Sequence, residues 1–232
     1  MNPEPALFGM LRHALAFVAL LAVLLGSTGC KTTGHLNDPI IGAGYQPKNV
    51  YTTFDQLPVS LRRVAVLPLT CDVNTTEQQY GRQVLEAVLS EELGKTKKFE
   101  LIPVTSEQLR VWTGKTAWRA EEKLPADLLK KLQAELGCDA VLFSRLTQYR
   151  AYPPLTVGFS LKLAEISTTE FVWVVDEVFD ATEPGVVNSA RRYQLTREHL
   201  PAALSDSRSI LNSPSGFGRY AANSVFQTLP AR

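Results

Sequence analysis

The 232-residue chain is poor in the residues from which most reactive sites are built: it has three histidines, three cysteines and two methionines. His13, His35 and His199 are scattered, so a histidine-based triad would rest on His199 alone. Arg197 and Glu198 beside it mark a solvated loop histidine. No His-Glu-x-x-His pair, paired-cysteine motif or Asp-rich loop is present, so neither a metal nor another cofactor is expected. Charge of one sign is lacking too. The 24 Lys and Arg face 23 Asp and Glu for a net +1, spread along the chain, which is not the basic stripe of a nucleic-acid binder. No apolar run reaches the roughly 20 residues of a bilayer-spanning helix, and there are no internal repeats. With 45% hydrophobic and 20% charged residues, the composition is that of an ordinary globular protein.

The N-terminus is the most specific feature present. Residues 1–13 are short and polar, with a positive charge at Arg12, and Ala14 to Leu25 is a nearly unbroken apolar run. Gly26, Ser27, Thr28 and Gly29, all small, then precede Cys30. This is the order of a secretory signal peptide. Ser27-Thr28-Gly29-Cys30 resembles the bacterial lipobox, departing from it at Ser27, where Leu is usual. The resemblance implies a signal peptide over 1–29, cleavage before Cys30 and diacylglycerol on its thiol; an ordinary secretory signal with an incidental thiol is the alternative. Each buried methylene contributes about 0.8 kcal/mol and stable attachment needs at least two chains, which a triacylated cysteine exceeds. Lys31, where Gram-negative sorting rules place Asp for retention at the inner membrane, implies the outer membrane.

Residues 30–58 carry Gly34, Pro39, Gly42, Gly44 and Pro47 without a sustained apolar period. Such a stretch buries too little to offset its ordering entropy, and a flexible tether is expected. The alternative is a stretch packing loosely over the domain through Tyr45, Val50, Tyr51 and Phe54.

A globular domain is expected from residue 59 to 232. Arg62 to Leu69 is a β-branched-rich run closed by Pro68 and reads as a buried strand. Asp72, Asn74 and Thr75 supply turn and cap residues. Thr76 to Leu93 then puts Tyr80, Val84, Leu85, Val88, Leu89 and Leu93 on one helical face, with Gly94 as the stop. Strands follow at Phe99–Val104, Asp139–Tyr149, Leu155–Ile166 and Glu170–Ala181. Helices are expected at Ser106–Trp112, Pro125–Leu136, around Pro184–Arg197 and around Pro214–Thr228. Strands separated by helices run parallel, and those joined by short turns run antiparallel. The fold class is therefore α/β (α+β): one mixed sheet of about five strands, parallel first and then an antiparallel meander, packed against helices. Cys71 and Cys138 fall at opposite ends of neighbouring strands, on the order of 20 Å apart. A disulfide needs Cα atoms within about 7 Å, so two free, mostly buried thiols are expected.

Few residues point to chemistry. Gly114, Lys115 and Thr116 resemble the end of a phosphate loop, but Arg110 stands where that motif has Gly and a helix precedes it. Asp176, Glu177 and Asp180 cluster on a strand that sends Asp176 and Glu177 to opposite faces, so salt links at an exposed strand end are expected rather than paired acid–base chemistry. Trp173 sits in a buried pattern and reads as core. Trp112 and Trp118 flank an irregular segment containing Lys115 and Arg119. These four form either a partner-binding surface, aromatic and cationic, or a cap on the core beneath a loop.

Arg62-Arg63-Val64-Ala65-Val66-Leu67-Pro68-Leu69, then Lys98-Phe99-Glu100-Leu101-Ile102-Pro103, then the run from Leu136 to Leu146 resemble successive core elements of a superfamily of envelope lipoproteins. It includes the curli-secretion lipoprotein, the outer-membrane activators of penicillin-binding proteins and the N-terminal domain of the Tol translocation protein. The resemblance spans residues 60–181. It implies a small α/β domain and a non-enzymatic periplasmic role in binding or assembling other envelope proteins, without a small-molecule substrate. The paired amphipathic segments of a membrane barrel are not found. The layout is thus closer to an activator or adaptor than to an oligomeric subunit of an export complex, which stands as the alternative.

Overall fold

The computed structural model describes residues 40, 42–72, 75–125, 127–197 and 206–232. Cys30, the signal peptide, His13, His35 and His199 lie outside these residues. The strands are β1 (Val50–Thr52), β2 (Arg63–Val66), β3 (Thr70–Cys71), β4 (Glu100–Pro103), β5 (Ala140–Arg150), β6 (Thr156–Glu165) and β7 (Phe171–Asp180). The described helices are α1 (Thr76–Lys95), α2 (Ser106–Thr113), α3 (Leu128–Leu136), α4 (Pro184–Arg197) and α5 (Pro214–Phe226), with a 3-10 turn at Ser209–Asn212.

All strands join one sheet in the order β1-β7-β6-β5-β2-β4, and β3 pairs with β5 beyond the end of β2. β2 runs parallel to both β4 and β5, while β5, β6 and β7 form the antiparallel meander. Parallel strands are covered on both faces, and β2 and β5 follow that rule. Val64, Ala140 and Leu142 belong to one apolar cluster, Ala65, Val141 and Phe143 to the other. The first cluster lies under α1, α4 and α5, the second under α2 and α3. On β6 and at the residue before it, the expected set Leu155, Val157, Phe159, Leu161 and Leu163 is buried in the first cluster.

Two glycines set how closely helices approach. A Cβ on Gly81 would lie 2.5 Å from the Tyr149 ring, and one on Gly218 would overlap Leu85. α1 is thereby wedged against β5 on one side and α5 on the other.

The expected fold class holds, with differences in detail. The sheet has seven strands rather than about five, because β1 and β3 have three and two residues, too few for a period-2 pattern. α1 continues through Gly94 to Lys95. The left-handed residue beyond it is Lys97, with φ +54°, rather than the glycine. The helix expected from Pro125 starts at Leu128 and ends as expected on Gly137, φ +62°.

The largest correction concerns the tether expected over residues 30–58. Val50–Thr52 pairs antiparallel with β7, and the segment before it is fastened too. Glu177 accepts from the backbone N–H of Lys48 (2.7 Å) and Asn49 (3.2 Å) and from the Tyr45 hydroxyl. Asn188 donates to Ala43 O and Arg192 to Gly42 O. The Tyr45 ring meets Phe179 edge-on at 5.6 Å. The folded unit thus begins near residue 42 rather than 59. The sequence shows no apolar period there because backbone and polar side-chain hydrogen bonds hold the segment, more than a buried face does.

Candidate functional site

The segment Thr113–Arg119 is built outward from the end of α2. A capping box starts that helix: Thr105 Oγ1 accepts from Gln108 N, and the Gln108 side chain accepts from Thr105 N. Gly114, at φ +79° with open space around its α-carbon, ends it. Thr113 Oγ1 is the knot of the turn. It donates to Leu109 O (2.7 Å) and accepts from the Trp118 indole N–H (2.8 Å) and from Lys115 N (3.3 Å).

This geometry settles how each aromatic is disposed. Trp118 is only 7% exposed and packs with Leu109, Leu128, Leu132 and Phe143 in the second cluster. Trp112 is half-buried against the same cluster. The two tryptophans cap the core beneath the loop, and Trp118 offers no contact face to a partner. Lys115 is exposed above it, its Nζ 4.4 Å from the ring centroid and 3.0 Å from Glu122 Oε2. Arg119 turns inward: it donates to Cys71 O and lies 3.6 Å from Asp72, which Arg145 approaches at 3.1 Å. Glu121 continues this ladder, pairing with Lys162 and Arg145. Burial would raise the Glu121 carboxyl, but the Lys162 ammonium beside it holds it below its usual value. The loop is therefore stapled to the sheet by alternating charges. The residue that sequence reading missed is Val111, 72% exposed on α2. Its position two residues after the buried Leu109 was the available signal, since that spacing sends it to the opposite side of a helix.

Of the carboxylates of β7, Asp180 makes the expected salt link, whereas Glu177 is engaged by hydrogen bonds from a hydroxyl and two backbone N–H groups. Glu177 fastens residues 45–49, Asp176 is exposed, and Asp180 accepts from Thr182 N and pairs with Arg150 at 3.5 Å. Among the described residues no group of His, Cys, Asp and Glu is placed to hold a metal ion. Cys71 and Cys138 are free thiols. β3 places Cys71 opposite Leu146 while Cys138 precedes Ala140, so the two are separated by roughly 25 Å of strand. Burial pushes the Cys138 thiol upward in pKa.

No protein-family model matches the chain, and no curated protein matches it. Solved structures do. A PelC dodecamer from Paraburkholderia phytofirmans aligns at TM-score 0.44 and 14% identity, over 79% of this chain and 97% of that one. Lipoprotein GNA1162 from Neisseria meningitidis aligns at TM-score 0.38 and 17% identity, over 60% and 99%. The LpoB C-terminal domain from Escherichia coli aligns at TM-score 0.34 and 17% identity, over 51% and 82%.

Proposed function

We propose that this chain is a non-enzymatic adaptor of the bacterial cell envelope, anchored by lipid on Cys30, facing the periplasm from the outer membrane, and binding another envelope protein. The observation that carries the reading is Cys30 itself, placed directly after four small residues and an apolar run. A lipid there fixes where the folded unit works. The fastening of residues 42–53 supports a short leash. About a dozen residues separate Cys30 from Gly42, at most ~40 Å when extended. The start of the folded unit is thereby held within about 40 Å of the lipid.

The partner-binding surface is assigned to the outer side of the Trp112–Arg119 region, where Lys115 and the neighbouring Val111 present a cation and an apolar side chain. Trp118 and Arg119 hold that surface in shape from beneath. Incorporation of a radioactive fatty acid into the wild-type chain and not into Cys30→Ala tests the anchor. Cross-linking in membranes, with Val111→Asp and Lys115→Glu as surface variants, tests the face; unchanged partners would remove it from the proposal. Light scattering on the purified chain is expected to give a monomer, and a closed ring would favour an export-complex subunit.

A further inference from the structure

A separate crevice opens on the α1 side of the sheet. β2 and β4 run parallel and end side by side at Val66 and Pro103. Beyond that point they part: β2 continues through Pro68 to β3 on β5, and β4 turns into α2. The gap outside the carboxyl ends of diverging parallel strands is where open α/β sheets take up ligands. Here it is a cavity of about 220 Å³, lined by α1 on one side and by Leu142, Ser144 and Leu161 of the sheet and Phe226 of α5 on the other. Leu67, Leu69, Leu89, Leu93, Val104 and Phe226 form its walls, each at most 5% exposed. An apolar cavity of about 150 Å³ takes up benzene, so this one has room for a single large side chain.

The rim narrows the class of occupant. Glu86 is the one charged residue lining the crevice. Its Oε1 accepts from Leu69 N at 3.1 Å, and Arg82, one turn earlier on α1, lies 3.6 Å from its other oxygen. No lining Lys or Arg is available for a lipid phosphate or a fatty-acid carboxylate. Glu86 is paired with Arg82, but it alone of the two lines the cavity, so the lining offers an anion no cation and a neutral or cationic group is favoured. The mouth also adjoins β4, the terminal strand of the sheet, whose outer edge pairs with no other strand among the described residues. Extended polypeptide commonly docks along such an edge.

We propose that this crevice is an anchor pocket for one aromatic or leucine side chain of a polypeptide partner, with a basic residue beside it facing Glu86. It rests on the adaptor reading and names the chemistry that reading leaves open.

The test uses the lipidated full chain in nanodiscs, with methyl-labelled Leu and Val and three ring-bearing probes: benzylamine, benzyl alcohol and phenylacetate. Benzylamine and benzyl alcohol are expected to shift the methyl signals of Leu69, Leu89, Leu93 and Val104. Phenylacetate is expected to bind at least about fivefold more weakly than benzylamine. Ser90→Phe, on the lining face of α1, fills the cavity and abolishes the shifts. Glu86→Gln leaves the walls intact and brings benzylamine and phenylacetate within about twofold of each other. Absence of shifts in the wild type, or phenylacetate binding as tightly as benzylamine there, overturns the pocket. If wild type and Ser90→Phe cross-link the same envelope protein equally, the anchor proposal falls while the adaptor reading stands. A wild-type chain that cross-links no envelope protein removes the adaptor reading and the polypeptide occupant with it.

Discussion

Glu92 is the buried polar hub of the folded unit, and removing it is the sharpest test of how the C-terminal helices are held. Its side chain is 1% exposed on α1. It accepts from Lys95 at 2.6 Å on its own helix, from Arg197 of α4 at 3.4 Å, and from Arg219 and Asn223 of α5 at 3.3 and 3.4 Å. Glu92→Ala leaves these donors unequally placed. Lys95 keeps Glu91 at 2.8 Å and Arg219 keeps the same carboxylate, whereas Arg197 loses its carboxylate and keeps the Tyr193 hydroxyl at 2.8 Å, and the Asn223 amide N–H loses this acceptor. Stripping one partner from a fully buried ion pair costs about 3–5 kcal/mol. Because the Arg197 side chain is 39% exposed and can rehydrate, the expected loss is lower, about 2–3 kcal/mol. Glu91→Ala, at an exposed position, should cost below about 1 kcal/mol. Urea denaturation of both variants measures the difference, and hydrogen exchange should locate the loosening in α4 and α5. The Glu92→Ala loss should persist at 1 M salt, where exposed pairs are screened within ~3 Å. A loss below about 1 kcal/mol, or one equal to that of Glu91→Ala, would refute the hub.

Four further outcomes are expected. Burial, followed by the Glu177 carboxylate for Tyr45 and by Tyr80 and Glu77 for Tyr149, raises those phenols, and burial raises Tyr220; Tyr149 and Tyr220 are pushed up to about 12. A raised folded value means stability that is complete below the ordinary 10 and lost as pH rises toward 12, so absorbance at alkaline pH should show late-ionising tyrosines together with unfolding. Glu91, held at about 2 by Arg219 and then Lys95, works in the other direction: its contribution is present above 4.5 and fades as pH falls toward 2, which thermal melts at acid pH will read. Trp118→Ala should cost about 3–5 kcal/mol in chemical denaturation as a core truncation, while Lys115→Glu, which loses an exposed ion pair and a ring contact, should cost about 1–2 kcal/mol; equal effects would contradict the buried indole. In denaturant a thiol reagent should find two thiols in the lipidated chain, Cys71 and Cys138, and three in a chain whose Cys30 carries no lipid.

Much of the central sheet was legible because its strands are long and covered. Val64 and Ala65 fill both faces of β2, and that double burial is what a continuous apolar run encodes. β6 is read from strict alternation, because only Val157, Phe159 and their partners two residues apart face the first cluster. The residues that escaped reading are those whose partners are distant in sequence. Tyr45 and Lys48 gain order from Glu177, 132 and 129 positions away, and Tyr45 also from Ser189 and Phe179, so a local window sees glycine, proline and polar residues and infers a tether. Trp118 was left between two readings, binding surface and core cap, for a related reason. Lys115 and Arg119 beside it look like a solvated loop, yet one cation lies over the ring and the other reaches Cys71 and Asp72 across the sheet. Charge near an aromatic marks an exposed surface only when that charge has no counterpart elsewhere in the fold, and a single sequence does not display the counterpart. The candidate site inverts accordingly. Two of its four expected residues, Trp118 and Arg119, are the support beneath a surface whose outward groups are Lys115 and the unremarked Val111. A partner selected for contact with the tryptophans would have to unpack the second core cluster to reach them; one selected for Val111 and Lys115 binds the domain as folded.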